Sequence, residues 1–331
     1  MTAPTVILRA DASPALGVGH VARIAAIADQ AAAAGAEPIA LIGGDPALAG
    51  WVRGLGLGRG VRAWRTIDVL TLATLPNVRG VVIDGPPLAA RLVPALVARG
   101  VHTVVIDDRG DFALPVHAVV NHNANAPARW AGYPAAGVRL LGRDYLMLRQ
   151  AIRALPRGAC RATPTGRLRV LITFGGSDPV GATARVLRLL PAHRPLDVVA
   201  LAGPGFTDDA ALATAAAAAT AAGHAVEVVR DPADPGERFR TAHAAICAAG
   251  GTLGELAYLG CPALAYPIVP DQIGPARALA EAGLIHGGRP WAALTDDALR
   301  GQLAGFLADD RGRRELRERA LATADGDGPR R

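Results

Sequence analysis

The amino-acid sequence predicts an α/β protein with two Rossmann-like domains facing an interdomain cleft. Short runs of Val, Ile, Leu and Ala without polar alternation predict strands that are buried on both faces, as in a parallel sheet. Helical patterns separate these runs, and the whole scheme occurs twice along the 331 residues. Between the two halves, Leu155–Arg167 is rich in Pro, Gly and Arg, which predicts a linker. The predicted domains are therefore residues 1–154 and 168–331.

The first half alternates apolar strand patterns with helical stretches. Helices are expected at His20–Ala34 and Leu88–Arg99. The predicted strands are Thr5–Arg9, Pro38–Ile42, Gly80–Asp84, Thr103–Asp107 and Ala118–Asn121. Ligands of such sheets bind at the carboxyl ends of the strands, so the loops after these strands are the first places to look for function.

The second half repeats this alternation. Its predicted strands are Arg169–Phe174, Asp197–Ala202, Ala225–Val229, Ala244–Cys247 and Ala263–Pro267. Its predicted helices are Pro179–Leu190, Asp208–Ala222, Thr252–Leu259 and Gly274–Ala282. The final segment, Asp325–Arg331, has the composition of a frayed tail.

Composition narrows the classes of partner. All 35 basic residues are arginine, and with 29 acids the net charge is +6. The arginines alternate with acids, and even the densest basic run, Arg311–Arg319, contains two glutamates, so we expect no nucleic-acid ligand. No apolar run reaches about 18 residues and the first residues lack an apolar signal core, so we expect neither membrane insertion nor export. Three separated cysteines, Cys160, Cys247 and Cys261, are typical of a reducing cytoplasm.

The first loop of chemical interest, Asp11–Arg23, follows the first predicted strand. Gly17 and Gly19 allow the backbone to turn sharply and to approach a ligand closely. His20 falls in the first turn of the next helix, at the carboxyl edge of the sheet, where an imidazole can serve as a general base. Arg23, one turn further on, could meet an anion. A helix-capping turn with a solvated histidine is the alternative interpretation.

The second loop, Phe174–Thr183, joins a predicted strand to a helix through Gly175, Gly176 and Ser177. Free backbone N–H groups at such a junction can bind an anion. Asp178 would repel a phosphate if it faced one, so we expect it to point away and cap the helix. An ordinary strand-to-helix turn remains the alternative.

The third loop has the same character. Gly250, Gly251 and Thr252 offer a second anion cradle, and Glu255, one turn into the helix, can accept hydrogen bonds from the hydroxyls of a ribose. The alternative for Glu255 is a surface carboxylate near a helix N-terminus.

The fourth loop contributes Asp271 and Gln272, whose polar groups suit sugar hydroxyls, although a plain connection to the next helix is equally consistent. Asp84 and Asp108, at or just after two predicted strand ends, complete the set expected to line the cleft. Asp107 and Asp108 are adjacent and point to opposite faces of a strand, so a shared metal is not expected.

Together these loops resemble one family, the UDP-2,4-diacetamido-2,4,6-trideoxy-β-L-altropyranose hydrolases of pseudaminic acid biosynthesis and their spore-coat-polysaccharide relatives. The resemblance covers roughly residues 5 to 285. The segments that carry it are GVGHVAR at 17–23, VVIDG at 81–85, VVIDDRGD at 104–111, NHN at 121–123, LLGRDYLMLR at 140–149, LITFGGSDP at 171–179 and AAGGTLGELAYLGCPALAYPIVPDQ at 248–272.

That family is similar to the UDP-GlcNAc transferase of peptidoglycan synthesis and has the GT-B fold. The resemblance implies inverting hydrolysis of a UDP-sugar without a metal or other cofactor. His20 would be the base that activates water, in a loop shaped by Gly17 and Gly19.

The resemblance also implies roles in the C-terminal domain. Glu255 would bind the ribose hydroxyls and Gln272 would face the sugar. The residues near the diphosphate would be Gly175, Gly176, Ser177, Gly250, Gly251 and Thr252.

The sequence departs from the family at two places. The family has Asp-x-Tyr where this chain has Asp84-Gly85-Pro86, and Asp-Asn-Gln where it has Pro270-Asp271-Gln272. Both places face the sugar. The sequence therefore keeps three functions open, which are a UDP-sugar hydrolase, a GT-B glycosyltransferase and a non-catalytic nucleotide-sugar binder.

Overall fold

The structure is a computed structural model that describes residues 3–13, 16–55, 57, 73, 77–110, 112–158, 166–232 and 235–331. It divides into two compact units. The first unit is Met1–Gln150 with Gly326–Arg331, and the second is Ala151–Asp325. Relative to the predicted domains, the first unit ends slightly earlier and includes the last residues of the chain.

The described part of the first unit contains a six-stranded sheet in the order β2-β1-β3-β4-β5-β6. All of its strand pairs are parallel, as their apolar patterns predict. The strands are β1 (Thr5–Ala12), β2 (Glu37–Gly44), β3 (Val78–Asp84), β4 (Thr103–Ile106), β5 (Val116–Asn121) and β6 (Ala136–Leu141). The helices of this unit are α1 (Gly19–Ala33), α2 (Ala49–Gly54), α3 (Pro86–Val97) and α4 (Gln150–Arg153), the last of which ends in the second unit.

Hydrophobic clusters cover both faces of this sheet. Ile7 and Leu8 are neighbours on β1, and because side chains alternate along a strand they belong to two different buried clusters. The strand order changes direction between β1 and β3, which leaves a crevice at their carboxyl ends. The loop from β1 to α1 and the end of β3 therefore meet at the point where such folds bind ligands.

The second unit also contains a parallel six-stranded sheet, in the order β12-β11-β10-β7-β8-β9. Its direction changes between β7 and β10, so the two glycine-rich loops after these strands lie at the equivalent crevice. The strands are β7 (Leu168–Thr173), β8 (Leu196–Ala202), β9 (Ala225–Arg230), β10 (Ala244–Ala248), β11 (Ala263–Tyr266) and β12 (His286–Gly287). The helices are α5 (Ala182–Arg188), α6 (Asp209–Ala221), α7 (Gly236–Thr241), α8 (Gly251–Leu259), α9 (Ile273–Glu281), α10 (Asp296–Ala308) and α11 (Asp310–Thr323).

Two segments differ from their predicted character. The start of the predicted linker is packed on the second unit, because the Gly158 N–H donates to Leu259 O at 3.0 Å. Most of that linker, including Cys160, lies outside the described residues. The predicted frayed tail instead forms a short 3-10 helix, Gly328–Arg330, in which Gly328 is buried.

Cys247 and Cys261 are buried in the second unit, and neither forms a disulfide with a described residue. Burial raises the pKa of the Cys247 thiol to about 12, so it stays protonated and unreactive at neutral pH. None of the described helices combines the length and apolar character needed to cross a bilayer.

Candidate active site

A network of charged side chains occupies the carboxyl edge of the first sheet. Its centre is Asp84, the last residue of β3, whose side chain is completely buried. A buried carboxylate must be compensated by opposite charge and hydrogen bonds. Helix α1 supplies both, because His20 and Arg23 are three residues apart and lie on the same face of its first turn.

Arg23 donates two hydrogen bonds to Asp84. Its Nε donates to Oδ2 at 2.8 Å and its Nη2 donates to Oδ1 at 2.7 Å, the fork geometry that suits a carboxylate. Its Nη1 donates to Asp108 Oδ2 at 2.7 Å. All three guanidinium nitrogens are therefore engaged with the carboxylates of Asp84 and Asp108.

His20 is oriented by the same carboxylate. Its Nδ1 lies 2.7 Å from Asp84 Oδ1. An ionised carboxylate only accepts, so we assign the shared proton to Nδ1. The Nη2 atom of Arg23 also lies 2.8 Å from Nδ1, but Nη2 is itself a donor, so we assign its hydrogen bond to Asp84 Oδ1 at 2.7 Å, the acceptor that both groups share. Among the described residues nothing is bonded to Nε2, and the side chain is 23% exposed, so this nitrogen is available as a proton acceptor.

The charges in the network fix its protonation. Burial alone would raise the pKa of Asp84, but the Arg23 guanidinium and the hydrogen bonds from His20 and Arg23 hold it below its usual range. For Asp108 burial is again opposed by Arg23, and its pKa falls to about 2. Burial would lower the pKa of Arg23, yet the two aspartates raise it. Both carboxylates are thus ionised and Arg23 is charged at neutral pH.

His122 follows β5 and is a candidate site residue that the sequence did not predict. Burial and the charge of Arg23 lower its pKa to about 4, so its ring is neutral at neutral pH. Its Nδ1 is buried and has no hydrogen-bond partner among the described residues, and the same is true of Asp108 Oδ1. The sequence feature that could have indicated His122 is its position, one residue after the end of a strand at the carboxyl edge of the sheet.

Backbone contacts hold this edge in place. Asp107 accepts from the N–H groups of Arg109 at 2.8 Å and Gly110 at 3.0 Å, whereas Asp108 faces Arg23, so the two aspartates are separated as expected. Asn123 Nδ2 donates to the Asp108 carbonyl at 3.2 Å. Within the described ranges, no group of three or more His, Cys, Asp or Glu side chains could hold a metal ion.

The two predicted glycines of the α1 loop differ in their conformation. Gly17 has φ +74°, which favours glycine, and its N–H donates to Ser13 O at 2.7 Å. Gly19 begins α1 with a negative φ, and a Cβ atom there would meet no described atom within 4 Å. Conformation therefore requires glycine only at Gly17, and the space beside Gly19 is open.

In the second unit, a side chain of the loop after β7 caps the start of the following helix. Asp178, at φ +43°, accepts from the N–H groups of Ala182 at 2.9 Å and Thr183 at 2.8 Å. The helix begins at Ala182 rather than at Pro179, and its first two N–H groups are occupied by Asp178. Gly176 packs closely on Gly203, so this loop offers an anion only the N–H groups outside the cap.

The loop after β10 is different. Gly250 precedes α8, and no described side chain caps this nine-residue helix. The Gln272 Nε2 atom would lie 3.2 Å from a Cβ at Gly250, and its Oε1 accepts from the Ile268 N–H at 2.9 Å. The structure therefore brings Gln272 onto the Gly250 turn and points a free amide donor there. Glu255 and Thr252 are half-buried on the first turns of α8, and Asp271 is exposed.

Comparison with known proteins identifies the fold. No protein-family model matches the chain, and no curated protein sequence matches it either. Among solved structures, MurG of Acinetobacter baumannii is 19% identical and covers 99% of this chain and 97% of its own, with a TM-score of 0.67. The chain has the GT-B fold.

Other solved structures with this fold are similarly related. UDP-GlcNAc 2-epimerase of Neisseria meningitidis, solved with UDP-GlcNAc bound, is 12% identical, covers 98% of this chain and 97% of its own, and has a TM-score of 0.65. The spinosyn forosaminyltransferase SpnP is 15% identical, covers 99% of this chain and 98% of its own, and has a TM-score of 0.60. The expected architecture of two Rossmann-like domains is confirmed.

Proposed function

We propose that this protein catalyses displacement at the anomeric carbon of a nucleotide-diphosphate sugar, with His20 as the general base and water as the acceptor. The observation that carries the proposal is the 2.7 Å contact between His20 Nδ1 and the fully buried Asp84. A carboxylate bound to one imidazole nitrogen fixes the tautomer and leaves the other nitrogen basic, as a general base requires. An isolated surface histidine has no such support.

The reaction then follows from these groups. His20 Nε2 takes a proton from the acceptor oxygen while that oxygen forms a bond to the anomeric carbon. The bond between the anomeric carbon and the diphosphate oxygen breaks, and both its electrons leave with the nucleotide. Attack from the face opposite the diphosphate inverts the anomeric configuration. Asp84 stabilises the imidazolium that forms, and Arg23 keeps Asp84 ionised.

We assign the nucleotide to the second unit. The uncapped N-terminus of α8 presents backbone N–H groups and the positive end of the helix dipole, which suit a diphosphate. The Gln272 amide beside Gly250 would add a donor, and we assign Glu255, one turn into α8, to the ribose hydroxyls on the basis of the motif resemblance. Because Asp178 occupies the start of α5, we place the leaving charge at α8 alone rather than at two helices.

UDP is the nucleotide we favour, because the epimerase of the same fold was solved with UDP-GlcNAc. Hydrolysis in amino-sugar biosynthesis is supported by the motif resemblance. Transfer to a second acceptor is supported by the Asp271-Gln272 pair, which resembles the Asp-Gln of many GT-B glycosyltransferases, and by the forosaminyltransferase of the same fold.

One experiment separates these reactions. The protein is incubated with UDP-glucose, UDP-galactose, UDP-GlcNAc and UDP-GalNAc, and the anomeric proton and phosphorus signals are followed by NMR. Release of UDP and free sugar without an added acceptor supports hydrolysis. Strict dependence on an added acceptor would assign transfer instead.

A His20→Ala variant tests the base, with the exposed His193→Ala as the matched control. We expect loss of turnover with UDP binding retained in the first variant, and unchanged turnover in the second. Equal turnover in both variants contradicts the assignment of His20. UDP binding without turnover of any sugar nucleotide, even in the wild type, would leave a nucleotide-sugar binder as the function.

A further inference from the structure

Three buried side-chain atoms of the first unit have no hydrogen-bond partner among the described residues, and two of them follow the neighbouring strands β4 and β5. These two are Asp108 Oδ1 and His122 Nδ1, whereas the third, Asp11 Oδ1, forms an ion pair with Arg9 Nη1 at 2.6 Å. Burying an unpaired polar atom costs about 1–3 kcal/mol, so two on adjacent strand ends indicate a function rather than chance. Neither is needed to orient His20.

Their position places them beside the proposed base. β4 and β5 are neighbours, and Asp108 and His122 follow the carboxyl ends of these two strands. Arg23 links them to the base, since it donates to both Asp108 and Asp84. Asn123, the residue after His122, fixes the Asp108 backbone through its side-chain amide.

We propose that His122 and Asp108 together bind one hydroxyl group of a sugar next to the base His20. The hydroxyl donates to Asp108 Oδ1, which can only accept, and accepts a hydrogen bond from His122 Nδ1–H. A hydroxyl fits because it donates and accepts at the same oxygen. The pair determines specificity for the sugar. The inference rests on the proposed function, because that function makes the ligand a sugar.

The charges of the site favour a neutral group over a cation. Arg23 together with Asp84 and Asp108 leaves a single net negative charge, which alone would attract an amino group. Yet the charge of Arg23 and burial keep the His122 ring neutral, and a ligand ammonium beside that ring would meet the same opposition. We therefore expect a hydroxyl rather than a protonated amine.

The test compares binding of UDP, UDP-hexoses and methyl glycosides by calorimetry. The UDP-hexose that binds the wild type most tightly is used, together with its monodeoxy and deoxyfluoro analogues. The variants are His122→Phe, which removes both ring nitrogens, and His122→Gln, which restores a polar group. His193→Phe is the control at an exposed position.

We expect UDP itself to bind all four proteins equally. The UDP-hexose should bind His122→Phe about tenfold more weakly than the wild type, the effect of one lost hydrogen bond, with partial recovery in His122→Gln. One deoxy analogue should bind the wild type and His122→Phe equally, because the hydroxyl that the pair recognises is missing. A methyl glycoside showing the same pattern would assign the hydroxyl to an acceptor sugar instead of the donor sugar.

Two results overturn the inference. One is that His122→Phe retains the full preference of the wild type for the hydroxyl over every deoxy analogue. The other is that no UDP-hexose or methyl glycoside gains affinity from its sugar. If UDP fails to bind the wild type while methyl glycosides show the expected pattern, the nucleotide assignment fails and the inference stands. Because His122→Phe could unfold the site, the analogue series on His122→Gln provides the same comparison.

Discussion

Asp84 is the residue on which the proposed base depends. An Asp84→Asn variant keeps the shape of the side chain but presents an amide N–H group to His20 or Arg23. The proton of His20 then moves to Nε2, which can no longer accept. We expect kcat to fall by roughly 10²- to 10⁴-fold, the contribution of a positioned general base. Steady-state turnover of the best UDP-sugar measures this.

Asp144→Asn, at an exposed carboxylate of the same unit, is the control and should leave kcat unchanged. A double variant, His20→Ala with Asp84→Asn, should be no slower than His20→Ala alone, because both substitutions remove the same function. Independent, multiplicative losses would show that Asp84 does not act through His20.

The neutral state of His122 predicts how stability depends on pH. Burial and Arg23 lower its pKa from 6.5 to about 4 in the folded protein. Between these values the unfolded chain binds the extra proton, so folding is favoured more strongly as pH rises. The stability that the neutral ring contributes is complete above pH 6.5 and is lost as pH falls to about 4. Urea unfolding of the wild type across this range should show a steeper loss than in His122→Gln.

Other groups that titrate near His122 must be separated from it. Asp84, Asp108 and His20 act on the same ring, and Asp108 titrates near pH 2, below the window. An identical pH profile in wild type and His122→Gln would contradict a perturbed His122.

At the scale of single residues, the sequence predicted the positions of several polar side chains but not their partners. His20, Arg23, Asp84 and Asp108 were all expected at strand ends or in the next helical turn, and the structure brings them together. The carboxylates that Arg23 binds are 61 and 85 residues away in the chain. Local sequence patterns carry no information about such partners.

At the scale of single elements, Asp178 shows how one side chain can decide whether a helix start is open. Its carboxylate accepts from the N–H groups of Ala182 and Thr183 at the start of α5. We expect Asp178→Ala to lower the free energy of unfolding by about 1–2 kcal/mol through loss of this cap. Asp178→Asn should cost less, since asparagine tolerates the left-handed backbone and still accepts. Urea denaturation compares the two, and equal losses would contradict a capping role.

The α1 loop provides a matched pair of glycines. Gly17→Ala should destabilise the protein by about 1 kcal/mol, because φ there is +74°. Gly19→Ala should leave stability unchanged or slightly improved, because its φ is ordinary and alanine favours a helix. Thermal unfolding measures both. Reduced turnover in a stable Gly19→Ala protein would indicate close approach of substrate to this position. A marked stability loss in Gly19→Ala would contradict the open space described there.

Strands with strongly apolar patterns were predicted well, and the strands that were missed, β6 and β12, are both at sheet edges. All ten predicted strands are present, with ends that differ by a few residues. β6 was missed because it is the edge of its sheet and most of its side chains are partly or fully exposed, so its pattern is not that of a buried strand. α11 was not predicted because arginines and glutamates dominate its sequence, and its few apolar residues do not show a clear helical pattern.

For the whole molecule, the positive charge is less uniform than its composition suggests. The sequence showed only that the arginines of Arg311–Arg319 are mixed with two glutamates. In the structure Arg313 is buried on α11, donates to the Phe306 carbonyl and pairs with Asp310. Arg319 Nε donates to Gly283 O at 2.7 Å. Part of the charge is therefore structural.

Neutralising single arginines tests this division. Arg313→Gln should cost about 1–3 kcal/mol, because it removes the donor to the Phe306 carbonyl. Arg314→Gln, at an exposed position of the same helix, should have no measurable effect on stability, and neither variant should change UDP affinity at a temperature where it is folded. Denaturation curves and calorimetry provide both values. Weaker UDP binding by Arg314→Gln would reveal an electrostatic role that the structure does not show.

Gly326–Arg331 belongs to the first unit although the entire second unit precedes it in the chain. Its backbone at Gly328 lies directly against Leu146, and Arg331 donates to the Asp144 carbonyl at 2.7 Å. During translation, the first unit emerges from the ribosome early but acquires this segment only after every residue of the second unit has been made. The contacts that this segment makes within the first unit can therefore form only after the second unit has been synthesised.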